Sequence, residues 1–199
     1  NIKRSQELKI GEVNTKLNEE VSKLKKETER INKIISCTKI FRHLSSLYDG
    51  QNVIDAQIVG YETTEVFDGS IRDLFDNSQD TSFRLNSKEG GYIIFDFKTK
   101  RVSLSKYYFS VPSQKTGRTD GQPKSWRIDG SNDKSSWDQI DVKDNDKSLH
   151  GYGFSNTFAC SNVTGKYYRY IRIKEVISNY NDHHFLLAEL EFYGSIENA

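Results

Sequence analysis

Two polar stretches of this chain gather the residue types that hold a hydroxyl-rich ligand. Residues 112–123 contain Lys115, Arg118 and Asp120, and residues 178–184 contain Tyr180, Asn181, His183 and His184. An aromatic face covers the apolar side of a pyranose while Arg, Asn, Asp or His groups bond its hydroxyls, so these seven residues form the candidate ligand set. The His183-His184 pair makes a poor transition-metal site, because neighbouring side chains on a strand point to opposite faces. The only nearby carboxylates are Asp182 and Glu189. No GxSxG, HExxH or P-loop pattern occurs, and the abundant acids sit mainly in turns, so the chain is read as a non-enzyme.

The elements that must position these loops come from the second part of the chain. After Cys37, short alternating or continuous apolar runs are separated by turn formers, the pattern of an all-β sandwich or barrel. The runs predict strands over 54–59, 91–97, 101–111, 125–131, 138–142, 153–158, 167–176 and 185–193, with one short helix over 39–47. Eight strands with long connections fit a jelly-roll β-sandwich. The run 91–97 is apolar on both faces and reads as a central strand, while 168–174 alternates as a half-exposed strand does. Between Ile128 and Trp137 the density of Asp, Gly, Ser and Asn predicts a hairpin. Trp126 and Trp137 read as core or hairpin packing.

Ahead of this body lies a stem of different character. Over residues 10–35 the apolar side chains fall into one heptad frame, with Ile10, Leu17, Leu24 and Ile31 at d and Asn14, Val21, Thr28 and Ile35 at a. Such a stripe faces water unless it finds a partner. Glu20 at g and Lys25 at the following e have the spacing that pairs parallel chains, and Asn14 at an a position fixes register. A parallel homo-oligomer is expected; the d and a residues are too mixed to set its number, and a lone helix docked on its own sandwich is the alternative. The domain plan is therefore a coiled-coil helix at 1–36, a linker with a short helix at 37–48, and a β-sandwich at 49–199.

Composition narrows the partners. Twenty-nine basic and 28 acidic side chains leave a formal charge of +1, which gives no field for a polyanion such as nucleic acid. The stem holds nine of the basic and six of the acidic groups, a balance that suits a solvated helix face. No apolar run approaches the roughly 20 residues of a membrane span, and the long loops carry Tyr180 as their only large hydrophobic side chain, so membrane insertion is not expected. Cys37 and Cys160 are too far apart for a CxxC metal pair and read as free buried thiols. With no Met in the chain, Asn1 is read as the start of a fragment or a processed chain. Asn162-Val163-Thr164 is a sequon that matters only on export.

Three ordered motifs carry a family resemblance over residues 49–194. They are 125–137 (SWRIDGSNDKSSW), 168–173 (YRYIRI) and 187–194 (LAELEFYG). Together they resemble the discoidin, or coagulation-factor type C, family, and most closely its intracellular branch beside BTB domains and coiled coils, where a strand like 94–98 (IFDFK) precedes the Ser-Trp hairpin. The resemblance implies a galactose-binding-like jelly roll without catalysis, whose end loops bind sugars, lipid headgroups or proteins. It also implies one structural calcium ion, held here by Asp76, Asp80, Thr81 and Glu189, with the Asp68-Gly69 turn as a weaker alternative. Extracellular members close the domain with a Cys pair at its two ends. Here Cys37 precedes the domain and no cysteine follows Gly194, which favours a cytoplasmic chain over a secreted one. The expected function is an oligomeric module binding a protein partner through its end loops; the alternatives are a carbohydrate-binding lectin and a structural subunit of a larger assembly.

Overall fold

A computed structural model of the single chain describes residues 2–35, 38–86, 90–114, 121–178 and 184–199. It divides into two units, Asn1–Ser36 and Cys37–Ala199. The first unit is helix α1 (Ile2–Ile35), unbroken because the stretch lacks proline and its one glycine, Gly11, lies in open space. Its seam is exposed: Leu17, Val21, Leu24 and Ile31 all face solvent. Asn14 and Thr28 are exposed too, and Thr28 donates its Oγ1 hydrogen back to the Leu24 carbonyl at 2.8 Å. Glu20 pairs within the helix, with Lys23 at 2.7 Å. The side chains of Ile10 and Ile35 lie outside the described residues. No helix among the described residues is long and apolar enough to cross a membrane.

The second unit is a β-sandwich. One sheet runs in the order β1 (Thr38–Lys39), β12 (Glu189–Asn198), β6 (Lys100–Ser110), β9 (Ser155–Ala159). A five-stranded sheet runs β2 (Gly60–Thr63), β5 (Tyr92–Asp96), β10 (Tyr170–Ser178), β7 (Pro123–Ser131), β8 (Asp138–Lys143). A three-stranded sheet runs β11 (His184–Leu187), β4 (Phe83–Asn86), β3 (Val66–Asp68). Every pairing is antiparallel. The inward positions of the first two sheets meet in one buried cluster, bridged by aromatic contacts. Phe95 of β5 meets Phe192 of β12 edge-on at 5.9 Å, and Trp126 of β7 meets Phe158 of β9 at 5.0 Å. Each fully buried ring of this size contributes about 1.5–3 kcal/mol. The short helix α2 (Ile40–Ser46) adds Ile40, Phe41 and Leu44 to the core.

The expected strands over 91–97, 101–111, 125–131 and 138–142 are present within a residue or two, and Gly91–Phe97 does supply an interior strand, β5. Three expectations need correction. Residues 54–59 form a turn: the amides of Ile58 and Val59 both donate to the Val53 carbonyl, and Gln57 takes φ +55°. Residues 185–193 are two strands, because the chain leaves the three-stranded sheet at Ala188, whose amide donates to Ser110, and joins β6 through β12. The strands β2, β3 and β4, each of three or four residues, are absent from the sequence reading because so short a run shows no clear period.

Candidate functional site

The two polar loops expected to bind ligand leave the sandwich at one end. β10 ends at Ser178 opposite Pro123, the first residue of β7, and His184 at the start of β11 lies opposite Asn86 at the end of β4. The Leu186 amide donates to the Gly121 carbonyl at 2.8 Å, which ties the two connections together. Of the expected ligand set, Lys115, Arg118, Asp120, Tyr180, Asn181 and His183 lie outside the described residues; His184 is described.

His184 has a neighbour that the sequence did not single out. Its ring lies 4.5 Å, centroid to centroid, from that of Phe67, which sits at a register irregularity of edge strand β3 and is 48% exposed. The turn that follows is held by Gly69 at φ +77°, where a Cβ would come within 1.9 Å of the Ser82 carbonyl oxygen. Asp68 accepts the Gly69 amide at 2.9 Å. Arg84 completes the group. On β4 its flanking residues Phe83 and Leu85 join the core, so strand alternation turns Arg84 to the opposite face, between Leu186 of β11 and Asp68 of β3.

Arg84 is only 4% exposed, with its guanidinium 5.4 Å from the Phe67 ring centroid. Its Nε is sealed from solvent without a hydrogen-bond partner, and no carboxylate among the described residues forms an ion pair with it. Asp68 faces it in register but is engaged with Gly69, and Glu65 accepts from the Asn86 amide at 2.8 Å. Desolvating an ionised side chain costs several kcal/mol even after relaxation, whereas a ring contact returns about 0.5–2 kcal/mol. The site is therefore a half-exposed aromatic ring with an imidazole and an uncompensated cation beside it. The one sequence signal for Arg84 was an Arg between two apolar residues in the run Phe83-Arg84-Leu85.

The residues expected to hold calcium do not close into one ligand shell. Asp76 accepts the Ser78 amide at 2.9 Å and the Thr81 hydroxyl at 2.7 Å. Asp80 accepts the Ser113 hydroxyl at 2.7 Å, and Glu189 accepts from Ser110 at 3.3 Å and Tyr108 at 3.4 Å. Each carboxylate is thus satisfied by its nearest donors, and no group of three or more His, Cys, Asp or Glu that could hold a metal forms among the described residues. The donors do approach one another: Ser110 ends β6 and Ser113 follows three residues later, and Asn77 and Glu189 line one cavity of about 320 Å³ together with Arg42, Tyr108 and Tyr193.

Cys160 is a free, buried thiol; burial, with the Asp141 carboxylate next, pushes it up to about 12, so it is no nucleophile at neutral pH. Cys37 lies outside the described residues. Trp126 is fully buried and donates its Nε1 hydrogen to Tyr107 at 2.9 Å, while Trp137 is half-buried against the Arg172 guanidinium, 4.0 Å from the ring centroid.

No family model matches the sequence. No curated protein matches it either. Solved structures do match the fold. CpGH89CBM32-5 from Clostridium perfringens, determined in complex with GalNAc-beta-1,3-galactose, superposes with a TM-score of 0.54 at 12% identity, over 69% of this chain and 96% of the other. Chitosan-binding module 1 of a chitosanase/glucanase from Paenibacillus sp. IK-5 gives 0.51 at 14% identity, over 69% and 96%. CpGH89CBM32-6, also from Clostridium perfringens, gives 0.50 at 16%, over 73% and 100%. The likeness is one of fold. The sandwich is galactose-binding-like, and its neighbours are carbohydrate-binding modules. They lend no support to the BTB- and coiled-coil-associated branch.

Proposed function

We propose that the sandwich is a non-catalytic carbohydrate-binding module that takes a sugar at the loop end, and that α1 gathers several copies into one multivalent particle. The observation that carries this reading is the half-exposed Phe67 ring with His184 and Arg84 against it, in a galactose-binding-like fold. The ring covers the apolar face of a pyranose, and the guanidinium supplies rigid donors for its oxygens. Single sites of this kind bind weakly, and linking them raises overall affinity without any new contact.

A structural calcium ion belongs to the same proposal. Calcium takes about six to eight oxygen ligands. Asp76, Asp80, Thr81 and Glu189 offer oxygen alone, Asp76 and Thr81 already touch, and Glu189 shares a cavity wall with Asn77. Calcium there would fix the loop 76–81 against β12 and take no part in chemistry.

A glycan array probed with the full chain, with calcium and with chelator, tests both parts. Selective binding is expected, falling about tenfold or more in Phe67→Ala as the face that covers the pyranose is lost, and calcium is expected to raise the melting temperature in proportion to log concentration. A folded chain that binds no glycan overturns the carbohydrate reading and returns attention to a protein partner. A melt indifferent to calcium and chelator removes the ion.

A further inference from the structure

Three charged side chains are buried among the described residues: Arg84, Asp129 and Asp141. Two of them are fully paired. Asp129 sits between Arg127 and Arg172, the latter at 2.7 Å, and Asp141 holds Lys143 at 2.7 Å. Among the described residues Arg84 alone has no ion pair, and its Nε–H has no acceptor. A fold that neutralises its other buried charges so completely leaves this one open beside an exposed aromatic ring.

We infer that the ligand of the loop end is an anionic saccharide, a sugar bearing a carboxylate or a sulfate ester. The inference rests on the carbohydrate reading above and adds the charge of the sugar. A guanidinium is the side chain that matches two oxygens of a carboxylate or a tetrahedral oxyanion through two parallel N–H donors. Held away from water, it gains most from an ionised acceptor, and a neutral hydroxyl leaves its charge uncompensated. Asp68, the carboxylate nearest in register, is kept for the Gly69 turn and so does not compete. The arrangement has the character of a functional site left strained until its ligand arrives: the missing counter-ion lowers the stability of the free protein and raises the affinity of an acidic ligand.

The test uses the full chain on an array of matched pairs, neutral glycans beside uronate-, sialate- and sulfate-bearing counterparts, with Arg84→Gln and Arg84→Lys alongside. The wild-type chain is expected to bind its acidic ligand about tenfold or more tightly than the neutral counterpart, with the carboxylate and sulfate arms showing which oxyanion it takes. Arg84→Gln should abolish that preference, and Arg84→Lys should retain part of it, a point charge without the fork. Thermal melting supplies an independent readout. Because an unpaired buried cation destabilises the fold, Arg84→Gln should melt at the same temperature as wild type or higher. Equal binding of neutral and acidic partners overturns the anionic reading and leaves the carbohydrate reading standing, whereas no binding to any glycan overturns both. A clear drop in melting temperature in Arg84→Gln also overturns the inference, since it marks Arg84 as already paired in the free protein.

Discussion

The contrast between Arg84 and the buried chain Trp126, Tyr107 and Asp141 shows how differently polar side chains are used in this domain. Trp126 donates to the Tyr107 hydroxyl, which donates to Asp141 at 2.6 Å; Asp141 also accepts the Ser161 amide at 3.0 Å. Burial raises the Asp141 carboxyl, yet the bonds from Lys143, Tyr107 and Ser161 bring it below the ordinary carboxylate range, while burial and Asp141 together push the Tyr107 phenol up. This network ties β7, β6 and β8 across the sandwich. Tyr107→Phe removes its central link and leaves the indole N–H of Trp126 buried without an acceptor, which should cost about 1–3 kcal/mol. Urea denaturation checks this, and an unchanged midpoint would show that the hydroxyl adds nothing. Trp126 was legible as core because a large aromatic between turn signals has few other uses. Arg84 was not, since a buried cation looks like any other strand Arg until the residues across both neighbouring strands are known. Phe67 likewise gained its meaning only when β3 and β4 paired.

At the scale of elements, most strands declared themselves where the run was long enough to show a period, and the hairpin after β7 declared itself by composition. In that turn Asp133 accepts the amides of Ser135 and Ser136, both at 2.8 Å, and these bonds hold its carboxyl down to about 2. The attachment of α2 was hidden, because it depends on a residue about 150 positions away. Glu191 of β12 accepts the Phe41 amide at 2.9 Å and the Arg42 amide at 3.2 Å, covering donors that the first turn of a helix leaves open. Burial raises the Glu191 carboxyl above its ordinary value of 4.5, and the three amide bonds from Phe41, Arg42 and Phe192 offset this only in part. A carboxyl whose folded value is raised favours the fold fully below the unfolded value and loses that contribution as pH rises through the folded one. Glu191→Gln removes the titration. The stability of wild type relative to Glu191→Gln should therefore fall as pH rises from 4 towards 7. The carboxyls held low, Asp96, Asp133, Asp138 and Asp141, act in the opposite direction but equally in both proteins. A difference that stays constant across this range would refute a desolvation of Glu191 that its three amide bonds offset only in part.

For the whole molecule, the sequence reads as a charged stem, a linker over 37–48 and an aromatic body, while the structure divides into Asn1–Ser36 and Cys37–Ala199, with β1 and α2 inside the second unit. The sequence reads as a stem and a body because the two parts obey different periods, 3.5 residues in the stem and near 2 in the body. What sequence could not supply was which side chains the loop end gathers, as that follows from how three sheets close. α1 presents Leu17, Val21, Leu24 and Ile31 to water along one seam of a 34-residue helix. An apolar stripe of this length is stable when a second copy covers it. Light scattering on the full chain should accordingly give an integer multiple of 23.0 kDa, and removal of residues 1–36, a unit distinct from the sandwich, should give a folded monomer. Binding to a glycan-coated surface should then fall by about two to four orders of magnitude on removal of the stem, while affinity for the free sugar is unchanged, because only the effective concentration of second sites is lost. A full chain that scatters as a monomer at micromolar concentration would end the multivalent reading. An oligomer whose stemless form also loses affinity for the free sugar would instead place α1 in the binding site itself.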